Sequence, residues 1–161
     1  MSIFRAIDTS ASGLTAQRLR LDLIANNIAN INTTRTGQTT PGGNEIPYQR
    51  QMALFVPRSS ESSFSSLFGK KLEEHSTGNG VQVSLVTQDQ TPFRLEYNPD
   101  SPDAVKVAEP GIPVGYVRQP NVNIITEMID MISASRAYEA NVTVLNASKS
   151  IAQKALEIGK G

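Results

Sequence analysis

Residues 3–30 read IFRAIDTSASGLTAQRLRLDLIANNIAN. Within them Phe4, Ile7, Ala11, Leu14, Arg18, Leu21, Ala25 and Ile28 are spaced 3, 4, 3, 4, 3, 4 and 3 apart, and seven of the eight are apolar. That spacing places them on one face of an α-helix, and Leu19, Leu23 and Ile24 broaden the face. At 1.5 Å per residue the helix is about 40 Å long. Gly13 weakens it locally and lets another backbone come close. Four Asn fall within residues 26–32; Asn tolerates left-handed geometry and bonds nearby backbone, so the helix is expected to end near Asn30.

The other end of the chain repeats the pattern on a longer scale. Ile124, Met128, Met131, Ser135, Tyr138, Val142, Leu145, Lys149, Ala152 and Leu156 step by 4 and 3 in alternation, and eight of the ten are apolar. A second stripe runs through Ala137, Asn141, Val144, Ser148, Ile151, Ala155 and Ile158, widened upstream by Ile125, Ile129 and Ile132. The pattern predicts a helix over 123–158, about 50 Å long, capped by Asn121 or Asn123 and stopped at Gly159.

Between the helices the period changes. Thr33 to Asn44 is polar, without period, and reads as a long loop. Strands are predicted over Tyr48–Val56, Val81–Thr87, Phe93–Tyr97 and Val114–Val117, with turn signals at Gly78-Asn79-Gly80 and Asn98-Pro99-Asp100. Arg58 to Thr77 is Ser-rich and reads as a flexible or weakly helical insertion. The expected class is α+β. Residues 1–35 form an N-terminal helix with its exit loop. Residues 36–120 form a small β-rich domain with an insertion at 57–77, and residues 121–161 form a C-terminal helix.

Composition removes several function classes. Lys+Arg and Asp+Glu are both 15, so the basic excess of a nucleic-acid binder is missing. There is no Cys, hence no disulfide and no thiolate chemistry, and His75 is the single His. No apolar run is long enough to span a membrane. The N-terminus lacks the basic and apolar regions of a cleaved signal, so the expectation is a cytosolic protein or export without signal cleavage. No cofactor is implied. Asn98, Asp100 and Asp103 lack the Gly and distal Glu of a calcium loop, and one His beside Glu73 and Glu74 makes no catalytic triad.

Two long helices with doubled apolar stripes cannot cover each other fully. Either partner helices from other subunits cover the second stripe as in multi-stranded coiled coils, or a hidden third helix completes an ordinary bundle.

Ser10 to Asn30 resembles the N-terminal signature of the bacterial flagellar rod and hook subunits. Arg136-Ala137-Tyr138-Glu139-Ala140-Asn141-Val142 resembles their C-terminal signature. Gly115 to Val122 and Leu95-Glu96-Tyr97-Asn98-Pro99 resemble the proximal rod members of that axial family. The resemblance covers about 1–35 and 80–161. It implies a structural, non-enzymatic subunit of the proximal rod, the drive shaft that carries torque from motor to hook. It also implies passage through the flagellar type III export apparatus and a place in the basal body outside the cytoplasmic membrane. The implied partners are copies of the chain, rod subunits of the FlgB, FlgF, FlgG and FliE type, and the export apparatus. A different proximal rod subunit, a secreted cell-wall hydrolase and a cytosolic helical adaptor are the rival readings; the hydrolase would need convergent carboxylates that the sequence does not offer.

The expected assembly contacts are Leu14, Leu21, Ile28, Met128, Met131, Tyr138, Val142 and Leu145. Asn26, Asn27 and Asn30 match the family signature and are expected to satisfy helix-end or inter-subunit backbone groups. Asn141, in mid-helix, is expected to fix register in the seam. Phe64 and Phe68 resemble the short apolar export motif of rod and hook subunits.

Overall fold

The computed structural model describes residues 3–58 and 79–159. Its elements are α1 (Ile3–Ala29), β1 (Gln51–Pro57), β2 (Val81–Gln88), β3 (Arg94–Tyr97), β4 (Tyr116–Gln119) and α2 (Ile124–Ile158). Two long terminal helices pack together, and small antiparallel sheets lie between them in the sequence. β1 pairs with β2, and β3 pairs with β4. The expected insertion at 57–77, with Phe64, Phe68 and His75, lies almost wholly outside the described residues.

The helices follow the periodicity closely. Asn123 caps α2: its Oδ1 accepts from the backbone N–H of Ile125 at 3.0 Å. The strands start and stop where other bonds compete. Tyr48 and Arg50 were expected in the first strand, but the Tyr48 N–H donates to the Thr33 carbonyl at 2.9 Å and the Arg50 N–H to Asn121 Oδ1 at 2.8 Å. The ladder therefore begins only at Gln51. The fourth strand was expected from Val114, yet it starts at Tyr116. Gly115 takes a positive φ of 89°, a conformation outside the β region. A Cβ there would also meet the Tyr97 ring at 3.3 Å. The register pairs Tyr97 with Tyr116 and Arg94 with Gln119.

The Thr-rich stretch after α1 holds no named helix or strand, as the loop expectation has it. It folds back on itself, closed by the Thr39–Glu45 bridge and by backbone bonds such as Ile46 N–H to Gln38 carbonyl at 2.9 Å. Its residues are polar on both faces, so no alternation marks it in the sequence.

The chain forms two compact units. The first comprises the described residues of 1–21, 53–85 and 133–161, and the second those of 22–52 and 86–132. Each contains part of α1 and part of α2. In the first unit the buried residues include Ser10, Ala16 and Ala134. The seam between helices here is made of small groups: a Cβ on Gly13 would come within 3.0 Å of Asn141 Oδ1. Gly13 thus admits a side chain and not a neighbouring backbone. In the second unit Ile24, Val105, Val117, Pro47 and Pro120 are buried, as are Asn27, Asn44, Arg118 and Glu127.

The inward face of α2 is turned from the face the apolar spacing selected. Glu127 and Ala134 are buried, with Asn141 and Ser148 half-buried. These four recur every seven residues. Ile125, Ile129 and Ile132 point to solvent. Short side chains let helices approach closely, and the isoleucines of α2 are left outside.

Candidate assembly surface

The surface is held by a buried polar anchor in the second unit. Glu127, in the first turn of α2, is 0% exposed, and Asn27, in the last turn of α1, is 1% exposed. A carboxylate is expensive to bury unless paired and hydrogen-bonded. Arg50 pairs with it: Nε donates to Glu127 Oε1 at 2.5 Å. Asn27 Nδ2 donates to the other oxygen at 3.1 Å. The same Nδ2 donates to the Gln51 carbonyl at 2.9 Å, and Oδ1 accepts from the Gln51 N–H and the Tyr48 hydroxyl, each at 2.9 Å. Burial, then the negative Glu127, pushes the Tyr48 phenol above its ordinary value, so it remains a donor.

Arg50 also reaches Asp130 at 3.3 Å and Asp89 at 3.5 Å. Burial alone would lower its pKa, but the hydrogen bond and charge of Glu127, with Asp130 and Asp89, more than offset this and raise it. Asp89 is held below its ordinary value, chiefly by the Thr91 N–H and also by Arg50, against a smaller effect of burial. Asn121 closes the loop: Nδ2 donates to the Asp89 carbonyl at 3.0 Å and the Thr91 carbonyl at 3.1 Å.

A second network joins the β-rich residues of the same unit. Glu109 accepts from Thr40, from Asn44 Nδ2 at 2.6 Å and from Arg118. These donors, Thr40 first, hold its carboxyl below the usual range despite burial. Asp103 is held low by the Thr34 hydroxyl and then by Arg35, again against burial. Asp103 is thus bonded to Thr34 and Arg35.

With the anchor in place, one face of α2 is left in water. Ile124, Ile125, Met128, Ile129 and Ile132 are between 46% and 67% exposed. Contiguous apolar exposure of this kind marks an interaction surface. Of the residues expected to make assembly contacts, Asn26, Met128 and Tyr138 are exposed, and Leu14, Leu21, Ile28, Asn30, Met131, Asn141, Val142 and Leu145 are half-buried. Asn30 braces the helix exit, its Nδ2 donating to the Asn26 carbonyl at 2.9 Å. Asn27 lies inside the chain, bonded to Gln51 of β1 and to Glu127. Asn141 Nδ2 donates to the Ala137 carbonyl at 2.8 Å beside Gly13. Phe64 and Phe68 fall outside the described residues. Arg50, Glu127, Asn44 and Glu109 carried no sequence signal; a Glu among isoleucines at 124–132 was the nearest to one.

Comparison with known proteins bears directly on this arrangement. The model described as "Flagella basal body rod protein" matches residues 7–35, most of α1 and its exit. The model "Flagellar basal body rod FlgEFG protein C-terminal" matches 114–158, which takes in β4 and α2. The flagellar basal-body rod protein FlgC of Borreliella burgdorferi is 46% identical over 161 residues, all of both chains. The chain belongs to the FlgC family of flagellar basal-body rod proteins. The FlgC of Bacillus subtilis is 45% identical over 99% of this chain and 100% of its own. That of Aquifex aeolicus is 32% identical over 99% of each. As a FlgC-family member the protein is a structural, non-enzymatic rod subunit, and the family implies assembly with other rod subunits. Among the described residues no helix is long and apolar enough to cross a membrane.

Removing one member of a buried pair leaves the other charge uncompensated, at a cost of about 3–5 kcal/mol. Arg50→Met is expected to destabilise the subunit by roughly that amount, and the Arg50→Met/Glu127→Leu double variant to regain most of it. Thermal unfolding of the three proteins measures both. The lowered Asp89, Asp103 and Glu109 make a separate demand. Their stabilisation is complete above the unfolded-state pKa and is lost as pH falls through the folded-state value. Glu109→Gln should be less stable than the parent at neutral pH, and the gap should close in acid. Unfolding midpoints measured down the acid limb test it.

Proposed function

We propose that this chain is a proximal-rod subunit, part of the shaft that carries torque from the motor to the hook. In this reading 1–35 and 121–161 are axial helices and 36–120 is a small outward domain. The observation that carries the reading is the face of α2 at Ile125, Met128, Ile129 and Ile132, exposed although the helix has a packed partner. A rod needs helices that are held within each subunit and still present apolar surface to the next. Leu14, Leu21, Ile28, Met131, Tyr138, Val142 and Leu145 extend the contact, and Asn26, Asn30 and Asn141 contribute polar groups along it. Neighbours are copies of the chain and subunits of the FlgB, FlgF, FlgG and FliE type. The subunit reaches its place beyond the cytoplasmic membrane through the flagellar export apparatus, with Phe64 and Phe68 as the export motif.

Ile129→Asp puts a charge where the neighbouring helix would dock. It is expected to remove the protein from isolated hook–basal bodies and abolish motility while leaving the unfolding midpoint of the free subunit unchanged, because Ile129 is exposed. Normal incorporation would sink the assignment. For export, Phe64→Ala should leave cytoplasmic levels intact and stall secretion; undiminished secretion removes the motif.

A further inference from the structure

A groove of about 400 Å³ opens in the first unit between α1 and the start of β2. It exists because the α1 residues facing it are short: Ala11, Ser12, Thr15 and Ala16. β2 is held against α1 by a hydrogen bond from the Val81 N–H to Ser12 Oγ at 3.1 Å. Gly80 permits this approach, with a φ of 92° and no room for a Cβ, which would fall 2.2 Å from Ser12 Oγ. Leu19, Val81 and Val83 complete a mostly apolar lining. At the rim Arg58 and Asp8 form an exposed ion pair at 3.3 Å.

The same unit carries a ridge of the opposite shape. On α2, Val144, Ile151 and Ile158 recur every seven residues and are 50%, 58% and 82% exposed. Residues seven apart lie on one line of a helix, about 10 Å from each other. The groove has ample room for such a side chain, and Ile151 is the middle one of the three. Beside the ridge Lys154 and Glu157 form a second exposed pair at 3.0 Å. Each surface presents one base and one acid, and exposed pairs exchange partners at little cost.

We propose that the Val144–Ile151–Ile158 ridge of one copy seats in the α1–β2 groove of a second copy, with Ile151 in the groove, Lys154 facing Asp8 and Glu157 facing Arg58. The occupant is a second copy because this chain supplies both complementary shapes and both complementary charge pairs. Two different surfaces meet, so every copy keeps a free ridge and a free groove. Such a heterologous contact propagates and does not close as a dimer would. The inference rests on the rod-subunit reading and adds to it a site and a register.

The absence of Cys makes the test direct, since introduced thiols are the only ones. A full-length chain with Thr15→Cys and a differently tagged chain with Ile151→Cys are produced together in flagellated cells, and isolated hook–basal bodies are oxidised. The expected product is a disulfide-linked dimer carrying both tags, at least fivefold more abundant than with Glu139→Cys in place of Ile151→Cys. Gln82→Cys gives a second groove position should Thr15→Cys fail to assemble. Lys154→Glu on the ridge copy should lower the yield about fivefold, and Asp8→Lys on the groove copy should restore it. Thr15→Cys joined to itself or to another rod subunit overturns the proposal. So does a yield no higher than the Glu139→Cys control while both tagged chains are present in the basal bodies; that result leaves the rod reading standing. Absence of the unsubstituted protein from basal bodies overturns both.

Discussion

The second unit depends on one carboxylate taken wholly out of water. Glu127 sits in the first turn of α2, and its two oxygens are met by an Arg from the approach to β1 and an Asn from the end of α1. Without them Glu127 would be an unpaired buried charge; with them it fixes where three separate pieces of chain meet. Buried ion pairs often contribute little net stability but penalise any arrangement that breaks them. Ile24, Val105, Val117, Pro47 and Pro120 are the buried apolar side chains larger than alanine among the described residues, so among these residues generic apolar burial specifies little. Geometry-demanding polar contacts carry that task.

The division of labour suits a subunit that must belong to something larger. A compact monomer spends its large apolar side chains on its own interior. Here the interior seam uses Gly13, Ala16 and Ala134, and the bulky isoleucines of α2 remain outside. Small groups between the helices are what allow this, because the pair can close without consuming the side chains an assembly needs.

Much of the fold is legible from spacing. Both helices were defined to within a residue or so by the 3–4 repeat, since each carries it for many turns. Strand bounds were less legible, because Tyr48, Arg50 and Gly115 are decided by hydrogen bonds to distant residues or by a backbone angle. The loop after α1 was legible as a loop, but the Thr39–Glu45 bridge that closes it was not, because its polarity leaves no alternation to read. On α2 the spacing identified apolar stripes but not which of them faces inward. That choice turned on Glu127, Asn141 and Ser148, residues an apolar count ignores. Arg50 lies 77 residues from Glu127 and Thr40 lies 69 from Glu109 in the chain, and no local pattern announces such a meeting.

The carboxamide of Asn27 has one more consequence. By both accepting from the Gln51 N–H and donating to its carbonyl, it stands in for the peptide of an adjoining strand at the outset of β1. An open strand edge invites other chains to add to it, and sheet growth of that kind is the route to fibrous aggregates. The helix thereby plugs that position with an amide of its own.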